Sequence, residues 1–209
     1  MNKDWQMTDG FVNQNVTPHS PTFDLTMPAC RDAATTSTVV ALTCATGGTC
    51  IVGDTGPGGG KVFYVHASGT FACGATLGST CKYLEAATSD LAGSAWCSDT
   101  ASSLGVTATG IGSGMSNTTT ADTTCASGAI QAAADYTNNG KTDWHLPSKD
   151  ELNQLYTNSA TVGGFSAGSY WSSSEFNATN AWIHNFLTGN QFINIKSITY
   201  SVRPVRAFG

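Results

Sequence analysis

Charge is scarce in this chain. Asp, Glu, Lys and Arg make up 11% of its 209 residues, and the net charge is −5. No cluster of Lys and Arg forms a basic stripe, so nothing here would neutralise a phosphate backbone, and no nucleic-acid partner is expected. Long apolar runs are missing as well. No stretch approaches the ~20 residues of a membrane span. The opening MNKDWQMTDGFVNQNVTPHS holds no apolar segment of a secretory signal. The export route stays open between a removed leader, a fragment of a longer chain, and release as part of a particle.

Cysteines at C-x-x-C spacing are also absent, and the four histidines are scattered. A structural zinc site is therefore not expected, and neither is any cofactor. Two motifs that invite attention fail on inspection. In IVGDTGPGGGKVFYV (51–65), Thr55 stands where a phosphate loop needs Gly, and Val62 where it needs Ser or Thr. Gly164-Phe165-Ser166-Ala167-Gly168 matches the nucleophile-elbow spacing. Yet a helical pattern precedes it, a strand pattern follows it, and Glu175 and His184 lie too close together to complete a triad. Asp143, Asp150 and Glu151 gather at a helix start, where capping and the helix dipole account for them. No catalytic residue is assigned.

Thr, Ser and Gly are abundant instead, 74 residues together, a composition suited to short strands and long ordered loops. Seven cysteines are present. Cys44/Cys50 and Cys73/Cys81 can each close a small loop and Cys97/Cys125 a larger one, which leaves Cys30 over. Three bridges fit an oxidising, extracellular compartment, while buried free thiols are the alternative. Residues 1–43, with Pro18, Pro21 and Pro28, read as an extended arm in which only TSTVVALTC (36–44) has strand character. A domain over 44–209 follows. Strands are expected at 61–65 and 81–87, with the first pairing near the C-terminus. Helices are expected at 127–138 and, from the capping box of Ser148 and Glu151, at 149–158. The strand-like segments SYWSSSE, NAWIHNFL and QFINIKSITYSVRPVRAF then complete the chain, with TGN (188–190) as a hairpin turn. The fold class is α+β: two helices packed on short antiparallel strands, with long ordered loops.

One segment is odd. QFINIKSITYS (191–201) alternates like a strand, but neither face is cleanly apolar or cleanly polar. The ordered set DWHLPSKDELNQLY, YWSSSE, AWIHNF, GNQ and VRPVRAF, together with GDTGPGGGKVFYV, resembles the C-type lectin-like domains of the formylglycine-generating-enzyme type. The likeness is nearest to the Lcl-type C-terminal domain of bacterial surface proteins, and covers roughly 51–209. Some such domains are the variable proteins of diversity-generating retroelements, in which error-prone copying at adenines rewrites the gene's 3′ end and strikes asparagine AAY codons. Changing the first two bases of AAY gives fifteen residue types but never Trp, Met, Gln, Lys or Glu.

The resemblance thus implies a variable region over 176–201. Phe176, Asn177, Thr179, Asn180, Ile183, His184, Leu187, Thr188, Phe192, Ile193, Asn194, Ile195, Ser197, Ile198, Thr199, Tyr200 and Ser201 are all reachable from AAY. Glu175, Trp182, Gln191 and Lys196 are not, and read as fixed frame. Trp171, Trp182 and Phe186 are the expected core beneath. The implied function is non-enzymatic binding of a protein or glycan on another cell or particle, at a cell surface or on a virion. The alternatives are a fixed adhesin that binds polysaccharide and the receptor-binding tip of a phage or other particle. An oxidase of the formylglycine-generating type would need a late cysteine pair, and no cysteine follows Cys125.

Overall fold

The computed structural model describes residues 41–209. Cys30 and all but the last three residues of the expected arm lie outside the described residues. The described part begins with a 3-10 turn, Cys44–Thr46, closed by Gly47 at φ 95°. Residues 41–44 are therefore not strand, because a left-handed glycine and the Cys44–Cys50 bridge curl the chain there.

The strands are β1 (Lys61–Val65), β2 (Phe71–Cys73), β3 (Ser79–Cys81), β4 (Tyr83–Ala86), β5 (Leu91–Ser94), β6 (Ser169–Asn177), β7 (Asn180–Asn185), β8 (Gln191–Ile195), β9 (Tyr200–Val202) and β10 (Val205–Phe208). Between β5 and β6 come α1 (Ser113–Asp122), α2 (Ala129–Ala134), α3 (Lys149–Thr157) and α4 (Ser159–Val162). They form three sheets, in the orders β1-β4-β10, β2-β3 and β5-β9-β6-β7-β8. All pairs are antiparallel except a single β6–β9 bridge at Tyr170 and Ser201. The fold is mixed helix and sheet, with many short strands.

Three expectations need correction. There are four helices among the described residues, not two. The expected helix at 127–138 is the short α2, because Asp135 and the Asn138–Lys141 turn take the chain away. β1 does not pair with the C-terminal strand: β4 lies between them, bonded to β1 on one side and to β10 on the other.

Glycines before β1 allow a close approach that explains the GPGGG turn. The Gly58 and Gly60 amides donate to the buried Glu85 carboxylate at 2.9 and 3.0 Å. A Cβ on Gly60 would sit 2.5 Å from the Ala86 carbonyl oxygen, so no larger residue fits. Arg206 also bonds Glu85, at 2.9 Å, and reaches Asp143 through its Nε. Glu151 repeats the device, accepting from Gly112 at 2.8 Å while closing the capping box at the start of α3. A buried carboxylate that satisfies loop amides lets the long loops hold one conformation without regular structure.

Three apolar clusters fill the interior, the smallest of them Cys44, Cys50, Val62 and Tyr83, and the two larger ones lie nearest the helices. One gathers Trp96, Ile130, Leu146, Trp171, Ala181, Ile183 and Val202 around α2 and the five-stranded sheet. The other gathers Phe63, Leu84, Leu152, Leu155, Tyr170 and Val205 around α3 and the three-stranded sheet.

Candidate binding surface

β6, β7 and β8 run as consecutive antiparallel neighbours, and β8 is the last strand of its sheet. A strand at the rim of a sheet is paired along one edge only, and β8 lies beyond the side chains that cover both faces of β7 at Ile183 and His184. This position accounts for the mixed pattern of QFINI. Phe192 and Ile193 are adjacent in sequence, so they point to opposite faces, and both are exposed.

The seventeen residues divide on burial. Phe176, Asn177, Thr179, Leu187, Thr188, Phe192, Ile193, Ile195, Ser197, Ile198 and Thr199 are exposed, and Asn180, Asn194, Tyr200 and Ser201 are half-buried. Ile183 and His184 are buried and do not belong to the surface. Ile183 points into the cluster around Trp171. His184 lies against the Tyr156 ring of α3, at 4.6 Å between centroids. Burial lowers the His184 pKa, opposed in part by the Gly189 backbone.

The exposed apolar side chains flank β8 on both faces. Ile193 stands opposite Trp182, and Ile195 opposite Asn180. Phe176 meets Trp182 edge-on at 5.7 Å. On the other face Phe192 lies opposite Ile183, and Asn194 donates to the Tyr200 hydroxyl, whose ring packs on Trp171 at 5.0 Å. Leu187, 75% exposed, stands apart at the hairpin tip. Asn177 is exposed but turns its Oδ1 onto the amides of Thr179 and Asn180, so it shapes the β6–β7 turn.

The expected core residues also divide. Trp171 is fully buried, but Trp182 and Phe186 are half-buried. Lys149, at the start of α3, lies over Trp182 with its Nζ 4.4 Å from the ring centre. Phe186 follows β7, with its ring 4.4 Å from that of Tyr170.

A buried ion pair holds the frame beneath this surface. Lys196 Nζ donates to Glu175 Oε1 at 2.6 Å and to the carbonyls of Ser102 and Ala178 at 2.9 and 2.8 Å. It also lies over the Trp96 ring at 4.7 Å. The Glu175 carboxylate accepts from Ser103 Oγ and from the amides of Leu104 and Gly105. Burial pushes the Glu175 pKa up, but Lys196 and these donors outweigh it and hold the group below its ordinary value. Gln191, the remaining frame position, donates to the Lys149 carbonyl at 2.8 Å. Trp96 and Trp144 are both fully buried; Trp144 belongs to the DWHLPS motif, whereas Trp96, isolated before a Gly/Ser/Thr stretch, has no periodicity to mark it as core. The Arg203–Asp90 pair, 2.6 Å apart across 113 residues of sequence, left no local signal either.

Three disulfides are formed: Cys44–Cys50, Cys73–Cys81 and Cys97–Cys125. Among the described residues no three His, Cys, Asp or Glu side chains gather as a metal site, and no helix is long and apolar enough to cross a membrane.

Residues 85–206 match the family model described as the Lcl C-terminal domain. No curated protein matches the chain. Among solved structures it is similar to a fimbrial protein from Bacteroides ovatus ATCC 8483, at 21% identity and a TM-score of 0.50. The likeness covers 71% of this chain and 44% of that one, so the chain spans less than half that protein's length. At this identity the likeness speaks to the fold alone.

Proposed function

The chain belongs to the Lcl C-terminal domain family, and from that premise we propose that it is a non-enzymatic, extracellular ligand-binding protein. Its binding surface is the exposed part of residues 176–201, carried on a C-type lectin-like scaffold and diversified by a retroelement. The ligand is a molecule on another cell or particle. Aromatic and aliphatic residues at the centre supply contact area, and Asn, Ser and Thr supply adaptable hydrogen bonds.

One observation carries this reading. The four positions in this region that a mutated asparagine codon cannot produce are all tied into the frame. Glu175 and Lys196 form the buried pair, Gln191 bonds the start of α3, and Trp182 packs under Lys149. Their reachable neighbours on β8 and beyond point mostly to solvent. The three disulfides support the extracellular assignment, since such bridges persist in oxidising compartments.

Ile183 and His184 favour a second reading at their own positions. Both are reachable from AAY yet buried, as in a fixed adhesin of the same fold. Sequencing the gene's 3′ end across isolates tests the proposal. Substitutions should concentrate at the fifteen exposed and half-buried positions, beside a near-repeat of that segment and a reverse-transcriptase gene. Substitutions spread evenly along the gene, with no such repeat, would leave the fixed adhesin as the better account.

A further inference from the structure

Resting on the binding surface proposed above, we infer that the partner docks as an extended polypeptide segment, pairing its main chain with the free edge of β8. The phase of β8 is set by two flanking bonds. Asn185 N–H donates to the Asn190 carbonyl and Lys196 N–H to the Thr179 carbonyl, each at 2.9 Å. By alternation, the main-chain groups of Phe192 and Asn194 face β7, and those of Gln191 and Ile193 face outward. Ile195 also faces outward, but it is already engaged. Its N–H donates to Asn194 Oδ1 at 2.8 Å, and its carbonyl accepts from Ile198 N–H at 3.1 Å. The open edge is therefore the short ladder of Gln191 and Ile193, closed at one end.

Proteins that need to keep an edge strand unpaired place charge, proline or a bulge on it. Gln191–Ile195 has none of these: its register with β7 is unbroken and its residues are uncharged. Ile193 and Ile195 project from one face of the strand beside the Phe176–Trp182 pair, and Phe192 from the other. A strand added at this edge would bring its own side chains against both sets. Charge narrows the partner further. Glu175 and Lys196 neutralise each other beneath the surface, while Lys149 has no carboxylate partner among the described residues. The segment that fits is uncharged and partly apolar along β8, with an acidic group where it passes Lys149.

Only a polypeptide supplies alternating amide donors and carbonyl acceptors at strand spacing, so this edge favours a protein over a glycan. The arrangement also suits a diversified strand. Mutation changes the side chains of β8, but Gln191 is fixed, and every product at position 193 except proline keeps the outward N–H and C=O groups. Main-chain pairing would supply the common part of recognition, and the neighbouring side chains the specific part.

The test uses the intact protein and linear random heptapeptides selected on it by display, with the best binder as probe. Ile193→Pro removes one outward N–H and leaves the bonds to β7 in place, and Ile193→Val keeps it. Probe affinity should fall at least about tenfold for Ile193→Pro and stay within about threefold for Ile193→Val. N-methylation of the probe should abolish binding at alternate residues and spare those between, a readout that does not depend on how the proline variant folds. Lys149→Ala should weaken binding of an acidic probe. Failure to select any peptide, or probes indifferent both to Ile193→Pro and to N-methylation at every residue, would overturn strand addition. Folded-protein or glycan ligands that bind through Phe176, Ile195 or Ile198 but ignore Ile193→Pro would also overturn it, yet leave the proposed binding surface standing. The absence of any ligand sensitive to those side chains would remove both.

Discussion

Ile183 and Ile195 are the same residue type on neighbouring strands, yet they do opposite things. Ile183 is 4% exposed and packs into the core, whereas Ile195 is 52% exposed. Ile195→Asn should change stability by less than about 0.5 kcal/mol, since an exposed site leaves no cavity. Ile183→Ala should cost about 2–5 kcal/mol. Urea unfolding of the two variants checks both values, and equal costs would mean that β8 is core. Lys196→Met should cost about 3–5 kcal/mol, because it leaves the Glu175 carboxylate buried without its cation. His184 adds a pH dependence. Its folded pKa lies below the ordinary 6.5 because of burial, so the unfolded chain binds the proton more readily. Stability should fall as pH drops below 6.5, and keep falling until the lowered folded value is reached. His184→Phe should flatten that part of the stability–pH curve, leaving the later loss expected as pH falls through the depressed Glu175 value.

The elements differ in how far the sequence betrayed them. α3 was legible because its signals are local: Ser148 and Glu151 form the capping box, and Leu152 and Leu155 share a face. Ser148→Ala should cost about 1–2 kcal/mol, since the hydroxyl both accepts the Glu151 amide and donates to the Gly110 carbonyl. Thermal unfolding measures it, and no loss would count against the cap. α1 was invisible because its buried side is Ser113, Gly114, Asn117, Thr118 and Ala121. Small polar residues leave no apolar stripe, and this helix docks through bonds such as Thr118 Oγ1 to the Leu146 carbonyl. β2, β3 and β5 were missed for a related reason. They are three or four residues long, and a disulfide or one neighbouring strand fixes them more than any pattern of their own. The candidate surface was legible as a stretch, through the lack of alternation at 191–201. Its two buried members were not, because Ile183 and His184 point to opposite faces of β7 and both faces are covered there, by the Trp171 cluster and by Tyr156 of α3, which no local pattern records.

At the scale of the whole molecule, loops rather than long helices carry the architecture, and three kinds of fastening hold them. Disulfides close 44–50, 73–81 and 97–125; buried glutamates gather loop amides; and Arg203 and Arg206 bridge distant segments. Each bridge should contribute about 2–4 kcal/mol, so reduction should lower the unfolding midpoint steeply, as calorimetry with and without reductant would record. Because these fastenings lie beneath or away from β8, the surface can change while the frame persists.

That separation is the central claim, and a single library measures it. The fifteen exposed and half-buried positions are randomised together with codons varied at the first two bases of AAY, while Glu175, Trp182, Ile183, His184, Gln191 and Lys196 stay fixed. Displayed members are scored for protease resistance. The account predicts that most members remain folded and that binders to unrelated proteins emerge from the pool. A library in which most members are cleaved like unfolded chains would contradict it, because the residues taken for display would then be holding the fold together.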